Sequence, residues 1–312
     1  MTGARKGVPA RYENIKLHED FGPIDELVDD YAVKRFAFVM DDYNPWYFGS
    51  SPFGRRIAHA GILANDILQL FTQVYDPNTV VGLHTHEELW FVNPILVPER
   101  VRLHGKYVEK YERRGKGYVV MEADARGEDG RLLVRHRGVE ILHIEPSSVV
   151  GKGTADSPER RVTGDYRRDV APAPHAQRGL RPGTPLVPLS KQPLQDQIAV
   201  FSMARKHFRN IHTDIEVARR AGLRDTLAQG QMEAVYLTEL LTSFFGAAWF
   251  TTGWQKVKFI RPVYCGDKLT ARGVVCQERQ HGGDTVLDLE VWVENEQGEM
   301  TAAGWASGRV ES

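Results

Sequence analysis

Cysteine is scarce. The 312-residue chain holds two, Cys265 and Cys276, and their spacing fits no metal-binding pattern. A disulfide framework and a cysteine-bound zinc are both excluded as expectations, and a reducing cytoplasm is the simplest setting. Net charge is −1, with no long basic run. Wholesale contact with a phosphate backbone is therefore not expected, and no nucleic-acid partner is. Local basic clusters are still enough for one small polyanion. There is no stretch of about 18 uninterrupted apolar residues, so no membrane-spanning helix is expected. The stretch from Met1 to Tyr12 lacks the apolar core of a secretion signal. Gly115-Lys116-Gly117 lacks the glycine-rich spacing of a phosphate loop. The nearest approach to a metal motif is His84-Thr85-His86-Glu87. On a strand its two histidines face one side, but metal sites usually take three or four protein ligands. No further ligand is apparent nearby, so no metal and no cofactor is expected.

What the sequence does hold is enough apolar matter, 42% of residues, to bury a sizeable core. Its distribution divides the chain. Residues 146–191 are rich in proline, glycine, serine and arginine and show neither a helical nor a strand period. They read as a long surface connection between a domain at 1–145 and another at 192–312.

The flanking halves repeat one another. Each has an apolar segment, Phe36–Met40 or Ala199–Met203, followed by a polar one, Asp41–Tyr47 or His207–Asp214. Each then has a glycine opening an apolar helix, predicted from Gly61 to Phe71 and from Gly230 to Phe245. Phe91, Pro94 and Gly105 match Phe259, Pro262 and Gly273 at one shared offset of 168 positions. Each half closes on period-two segments around a glycine turn, at Glu128–Gly130 and Asn295–Gly298, which predicts antiparallel hairpins. Helix followed by antiparallel strands, twice over, defines an α+β fold. Pairing of the twin units would cover their sheet edges, giving a covalent pseudo-dimer.

The segment Asp42-Tyr43-Asn44-Pro45-Trp46-Tyr47, with Ser51–Gly54 and Ile57–Gly61 after it, resembles the MaoC-like (R)-specific enoyl-CoA hydratase and hydroxyacyl-thioester dehydratase family. That family's motif is Asp-x-Asn-Pro-x-His, and Tyr47 stands where its histidine is expected. In the second half His207 stands where the aspartate is expected and Arg209-Asn210 replaces Asn-Pro, while Ile211-His212-Thr213-Asp214 keeps the histidine end. The resemblance spans roughly 30–145 and 195–308. It implies a double hot-dog fold, each repeat a long helix packed on a curved antiparallel sheet. It also implies a hydratase/dehydratase acting on an acyl thioester such as acyl-CoA, and a homo-oligomer of such chains.

Moving water at the carbon β to a thioester needs an acid/base group near neutral pKa and a donor for the thioester oxygen. The residues that the resemblance marks as catalytic are His212, His207 and Asp42. Those marked for substrate are Arg209, Gly230, Gln231, Asn44, Tyr47, His59 and Gly61. Histidine supplies the proton transfer. A main-chain N–H at a helix start, near Gly230 or Gln231 or near Ala60 or Gly61, would polarise the carbonyl. Arg209 would suit a substrate carboxylate, and Asp42 with His59 is an alternative acid/base pair.

Plainer readings accompany these. Asp42, Asn44 and Pro45 also start turns, and His59 also suits a hydrogen-bonded helix entry. Asp214 suits the cap of a short helix, Ile215–Ala221. Lys256, Lys258, Arg261, Lys268 and Arg272 would meet CoA phosphates or form a solvated strand face. Two other functions remain open. One is a thioesterase with Asp42 or Glu239 activating water. The other is a non-catalytic acyl-thioester binding or partner subunit, since neither half keeps the complete pair.

Overall fold

The computed structural model describes residues 7–76, 82–144, 161–202 and 210–311. His207 and Arg209 lie outside them.

The first half supplies β1 (Val8–Pro9), β2 (Asp20–Val28), α1 (Asp30–Met40), α2 (Ala64–Leu68), β3 (Tyr75–Asp76), β4 (Leu83–Phe91), β5 (Glu99–Arg113), β6 (Lys116–Arg126) and β7 (Leu132–Ile144). The second supplies β8 (Leu189–Lys191), α3 (Gln195–Phe201), α4 (Ile215–Arg220), α5 (Gly230–Phe245), α6 (Trp249–Thr252), β9 (Trp254–Phe259), β10 (Leu269–His281), β11 (Asp284–Asn295) and β12 (Met300–Arg309). Ten strands form one sheet in the order β2-β5-β6-β7-β4-β9-β12-β11-β10-β8. Read inward from either edge, the order repeats. The offset of 168 holds in register as well: Glu87 lies opposite Gly138 in the first half and Gln255 opposite Ala306 in the second. The halves meet where β4 pairs antiparallel with β9, with Glu88 opposite Lys256. This is the predicted double hot-dog.

Strand residues alternate as one buried face requires. On β5, Val101, Leu103 and Tyr107 are buried, while Arg100 and Arg102 are exposed. On β11 both faces are buried from Leu289 to Val293. The cause is the segment after residue 160. Thr163 donates through its N–H and Oγ1 to Glu290 Oε2 (3.0 and 3.2 Å), and Tyr166 stacks on Trp292 with centroids 6.4 Å apart. Further along, Gly183 and Leu186 donate to the Val275 and Gly273 carbonyls of β10.

Helix α5 runs through the core. Every residue from Gln231 to Phe245 except Ser243 is buried, so its near-continuous apolar character reflects a helix enclosed on all sides. Its bounds are those the sequence predicts. The first-half helix is shorter than predicted: α2 has five residues and then tightens into a 3-10 turn, Gln69–Gln73. β-Branched Thr72 lies in that turn, and Val74 and then Pro77 follow it, which disfavour further helix. Tyr75–Asp76 instead pairs with Val8–Pro9. Among the described residues no helix is long and apolar enough to cross a membrane.

Candidate active site and a second polar cluster

Three polar networks lie beside α5 or the segment that leads into it. The first surrounds Asp42, just past the end of α1. Asp42 Oδ1 accepts from the Asn44 N–H (3.1 Å) and Oδ2 from the Tyr47 hydroxyl (3.1 Å). His59 Nε2 stands 3.3 Å from the same Oδ2. The Gly61 N–H donates to His59 Nδ1 at 2.8 Å, so the neutral ring carries its proton on Nε2, facing Asp42. Asn44 accepts from the Trp46 N–H at 3.0 Å and starts the turn Pro45–Tyr47. The structure thus brings Asp42, Asn44, Tyr47, His59 and Gly61 together, with Tyr47 as a donor to the aspartate. Asp42, Tyr47 and His59 are all buried. Burial, outweighing the Asp42 charge, lowers the His59 pKa to about 4. Burial, then Asp42, raises the Tyr47 hydroxyl well above its ordinary range. The Gly61 N–H is committed to His59, which leaves it no free hydrogen for a substrate oxygen.

Beyond Asp42, Lys191 on β8 reaches inward. Its ammonium contacts Glu239 Oε2 (2.7 Å) and donates to the Met40 and Asp41 carbonyls, both at 2.8 Å. Burial and then the Asp42 charge raise Glu239 to about 8, against the pull of Lys191. Glu239 therefore keeps its proton at neutral pH. An open groove of about 590 Å³ borders Lys191, lined also by Asp41, Leu194, Gln197 and Lys268.

The second network holds His212. Asn210 Oδ1 accepts from the N–H groups of His212 and Thr213 at 2.9 and 3.1 Å, and Asp214 caps α4 as predicted. His212 Nδ1 lies 2.8 Å from the Leu227 carbonyl. A carbonyl only accepts, so Nδ1 carries the proton and the neutral ring keeps a lone pair on Nε2. Burial lowers its pKa, with Leu227 opposing, so the ring is neutral at pH 7. The chain reaches the start of α5 three residues after Leu227. Gly230 packs under Phe259, where an added Cβ would lie 2.7 Å from the ring. The glycine is needed there for helix-to-strand packing. Asp42 and His212 belong to separate networks.

The third network was only half visible in the sequence. A β-bulge between His84 and His86 breaks the strand period, so the two histidines do not face one side as the sequence predicts. His84 instead joins Glu87, with Nε2 to Oε2 at 3.1 Å. His136 on β7 approaches from the other side, its Nε2 3.4 Å from Glu87 Oε1. Gln231 Nε2 donates to the Ala64 carbonyl (2.9 Å) and lies 3.3 Å from Glu87 Oε2, so its side chain serves this network. Burial pushes the Glu87 carboxyl up, but His136, His84 and Gln231 together hold it below its ordinary value. The neighbouring Glu140, bonded by the Tyr107 hydroxyl, is raised to about 7 by burial. Of the five basic residues, Arg261, Lys268 and Arg272 each pair with a glutamate, Glu299, Glu296 and Glu294.

A ten-stranded sheet with two pseudo-equivalent halves around a buried helix defines a double hot-dog protein. Solved structures agree. A MaoC-like dehydratase superposes with a TM-score of 0.72 at 14% identity, over 95% of this chain and 98% of that one. A conserved hypothetical protein from Mycobacterium tuberculosis with a double hot-dog fold gives 0.65 at 14% identity, over 98% of each chain. The full-length peroxisomal multifunctional enzyme type 2 from Drosophila melanogaster gives 0.63 at 16%, over 93% of this chain and 48% of its own length. At these identities the likeness establishes the fold. No curated protein sequence matches. Residues 169–296 match the family model described as MaoC like domain.

Proposed function

We propose that the chain is a hydro-lyase that adds or removes water at the β-carbon of an acyl thioester, with acyl-CoA as the substrate and the second half as the reacting half. The observation that carries this reading is the 2.8 Å contact of His212 Nδ1 with the Leu227 carbonyl, which leaves Nε2 as a base in the family-matched segment. In hydration, Nε2 takes one proton from water as the oxygen bonds Cβ. The electron pair of the double bond moves to Cα and the thioester oxygen, where a main-chain N–H at the start of α5 holds the developing charge. The imidazolium then returns its proton to Cα. Dehydration is the reverse. His207 and Arg209, outside the described residues, would orient water or the acyl group.

Thioester hydrolysis has less support. Asp42 already accepts two hydrogen bonds in a buried site, and Glu239 is held by Lys191. The test is to mix the chain with short, branched and dicarboxylic enoyl-CoA esters and follow the enoyl-thioester absorbance, with a thiol reagent present. Loss of the band without thiol release, abolished in His212→Gln, is the expected result. Thiol release would mark a thioesterase. Tight acyl-CoA binding without turnover would mark a binding subunit.

A further inference from the structure

His84, Glu87 and His136 converge from two neighbouring strands. Their ligand atoms all lie within 4.8 Å of one another. Donors about 2.1 Å from one ion, at tetrahedral or octahedral angles, are about 3.0–3.4 Å apart. His84 Nε2 lies 3.1 Å from Glu87 Oε2 and His136 Nε2 lies 3.4 Å from Oε1, so each imidazole meets that spacing with one of the two carboxylate oxygens. Among the described residues, both ring nitrogens of His84 and of His136 lack a partner in good hydrogen-bond geometry. Position 138, opposite Glu87, is a glycine. A Cβ on it would lie 3.1 Å from His136 Nε2 and 3.3 Å from His84 Nε2. The space onto which both nitrogens face is open because this residue has no side chain.

The second repeat shows that the fold does not need this cluster. By the offset of 168, Glu87 corresponds to Gln255, His136 to Gly304 and Gly138 to Ala306. Gln255 is equally buried and fully engaged, accepting from Thr238 Oγ1 and donating to the Ala234 carbonyl. A neutral amide therefore suffices at this place in the sheet. The first repeat instead buries a carboxylate with two under-bonded imidazoles, an arrangement that costs stability unless something completes it.

We infer that His84, Glu87 and His136 bind one divalent transition-metal ion of the zinc or iron(II) class, seated against Gly138. Two imidazoles and a carboxylate suit these ions. A solvent molecule takes the remaining position on the side of His84, the least buried of the three. The ion fixes β4 to β7 and, through Glu87 and Gln231, the first turn of α5. This inference stands independently of the hydro-lyase reading.

The test uses the full chain after dialysis against a chelator, titrated with cobalt(II). Visible d–d bands should appear and saturate at about one ion per chain, zinc should bleach them, and the melting temperature should rise with metal. Gly138→Ala keeps all three ligands but places a methyl group in the seat; it should weaken cobalt binding at least tenfold. His136→Gln and the more exposed His84→Gln should do the same. Absent bands, or wild-type affinity in Gly138→Ala together with whichever histidine variant folds, would overturn the inference.

Discussion

Glu88 and Lys256 lie directly opposite each other in the pairing of β4 with β9, and they are the same position of the two repeats. The pseudo-twofold axis therefore passes between them. In a dimer of identical units this position would face its own copy, setting like charge against like. Fusion lets opposite charges meet, which favours this register. Lys256→Glu should destabilise the chain by about 0.2–1 kcal/mol, read by urea denaturation. Adding Glu88→Lys should recover part of the loss. Recovery will be incomplete, because Glu88 Oε1 also accepts from Trp254 Nε1 at 2.9 Å. No coupling in the double-mutant cycle would argue against the charge reading.

His212→Gln is the sharpest probe of the chemistry. Removing an acid/base group should lower kcat about a hundredfold to ten-thousandfold. The fold should survive, since among the described residues the side chain of His212 bonds Leu227 alone. One imidazole handling both proton transfers also implies that the hydroxyl and the proton add to one face of the double bond. Hydration in heavy water, with the product stereochemistry read by NMR, should show syn addition; anti addition would demand a second group.

The Asp42 network holds the loop 41–61 together beside α5. Asp42→Ala would orphan the Tyr47 hydroxyl, the Asn44 N–H and the His59 ring together, costing about 3 kcal/mol. Tyr47→Phe removes one bond and should cost about 1 kcal/mol. Equal effects in denaturant titrations would contradict a network centred on Asp42.

His59 gives a pH signature. Its folded pKa, about 4, lies below the ordinary 6.5, so the folded chain resists protonation more than the unfolded chain. Its contribution is complete above pH 6.5 and is lost as pH falls toward 4, amounting to about 3 kcal/mol. The stability difference between wild type and His59→Asn should shrink across that window. A difference constant from pH 7 to 4.5 would refute the burial argument.

Glu233 has the opposite sign. Burial raises it to about 8, with Thr301 Oγ1 donating to its carboxyl and opposing the rise. The folded chain keeps this proton more tightly than the unfolded one. The stabilisation is therefore present below pH 4.5 and lost as pH rises through 8. Glu233→Gln should be less pH-sensitive than wild type between pH 6 and 8, by up to about 1.4 kcal/mol per unit.

Much of the frame could be read from residues close in sequence. The offset linking Phe91, Pro94 and Gly105 to their partners disclosed the repeat, and Asp214 and Gly230 marked helix starts. Asp42, Asn44 and Tyr47 lie within six residues, so their local turn was legible. His136 was not, because it reaches Glu87 only through the pairing of β4 with β7. The bulge after His84 was equally silent, and it reversed the inferred facing of His86. The first-half helix was overextended because Leu70 and Phe71 keep the apolar period although the backbone has already tightened. The sequence points to the N–H of Gln231, whereas its side chain bridges the halves, from α5 to Ala64 and Glu87.

The seam between β4 and β9 joins two parts of a single molecule. Its closure depends on the effective concentration that the connecting segment imposes, and dilution leaves that unchanged. A weakened seam should therefore show itself as a lower unfolding midpoint at every protein concentration, where a two-chain relative would come apart into halves. Each half is accordingly free to drift from its twin without ever having to recognise it anew.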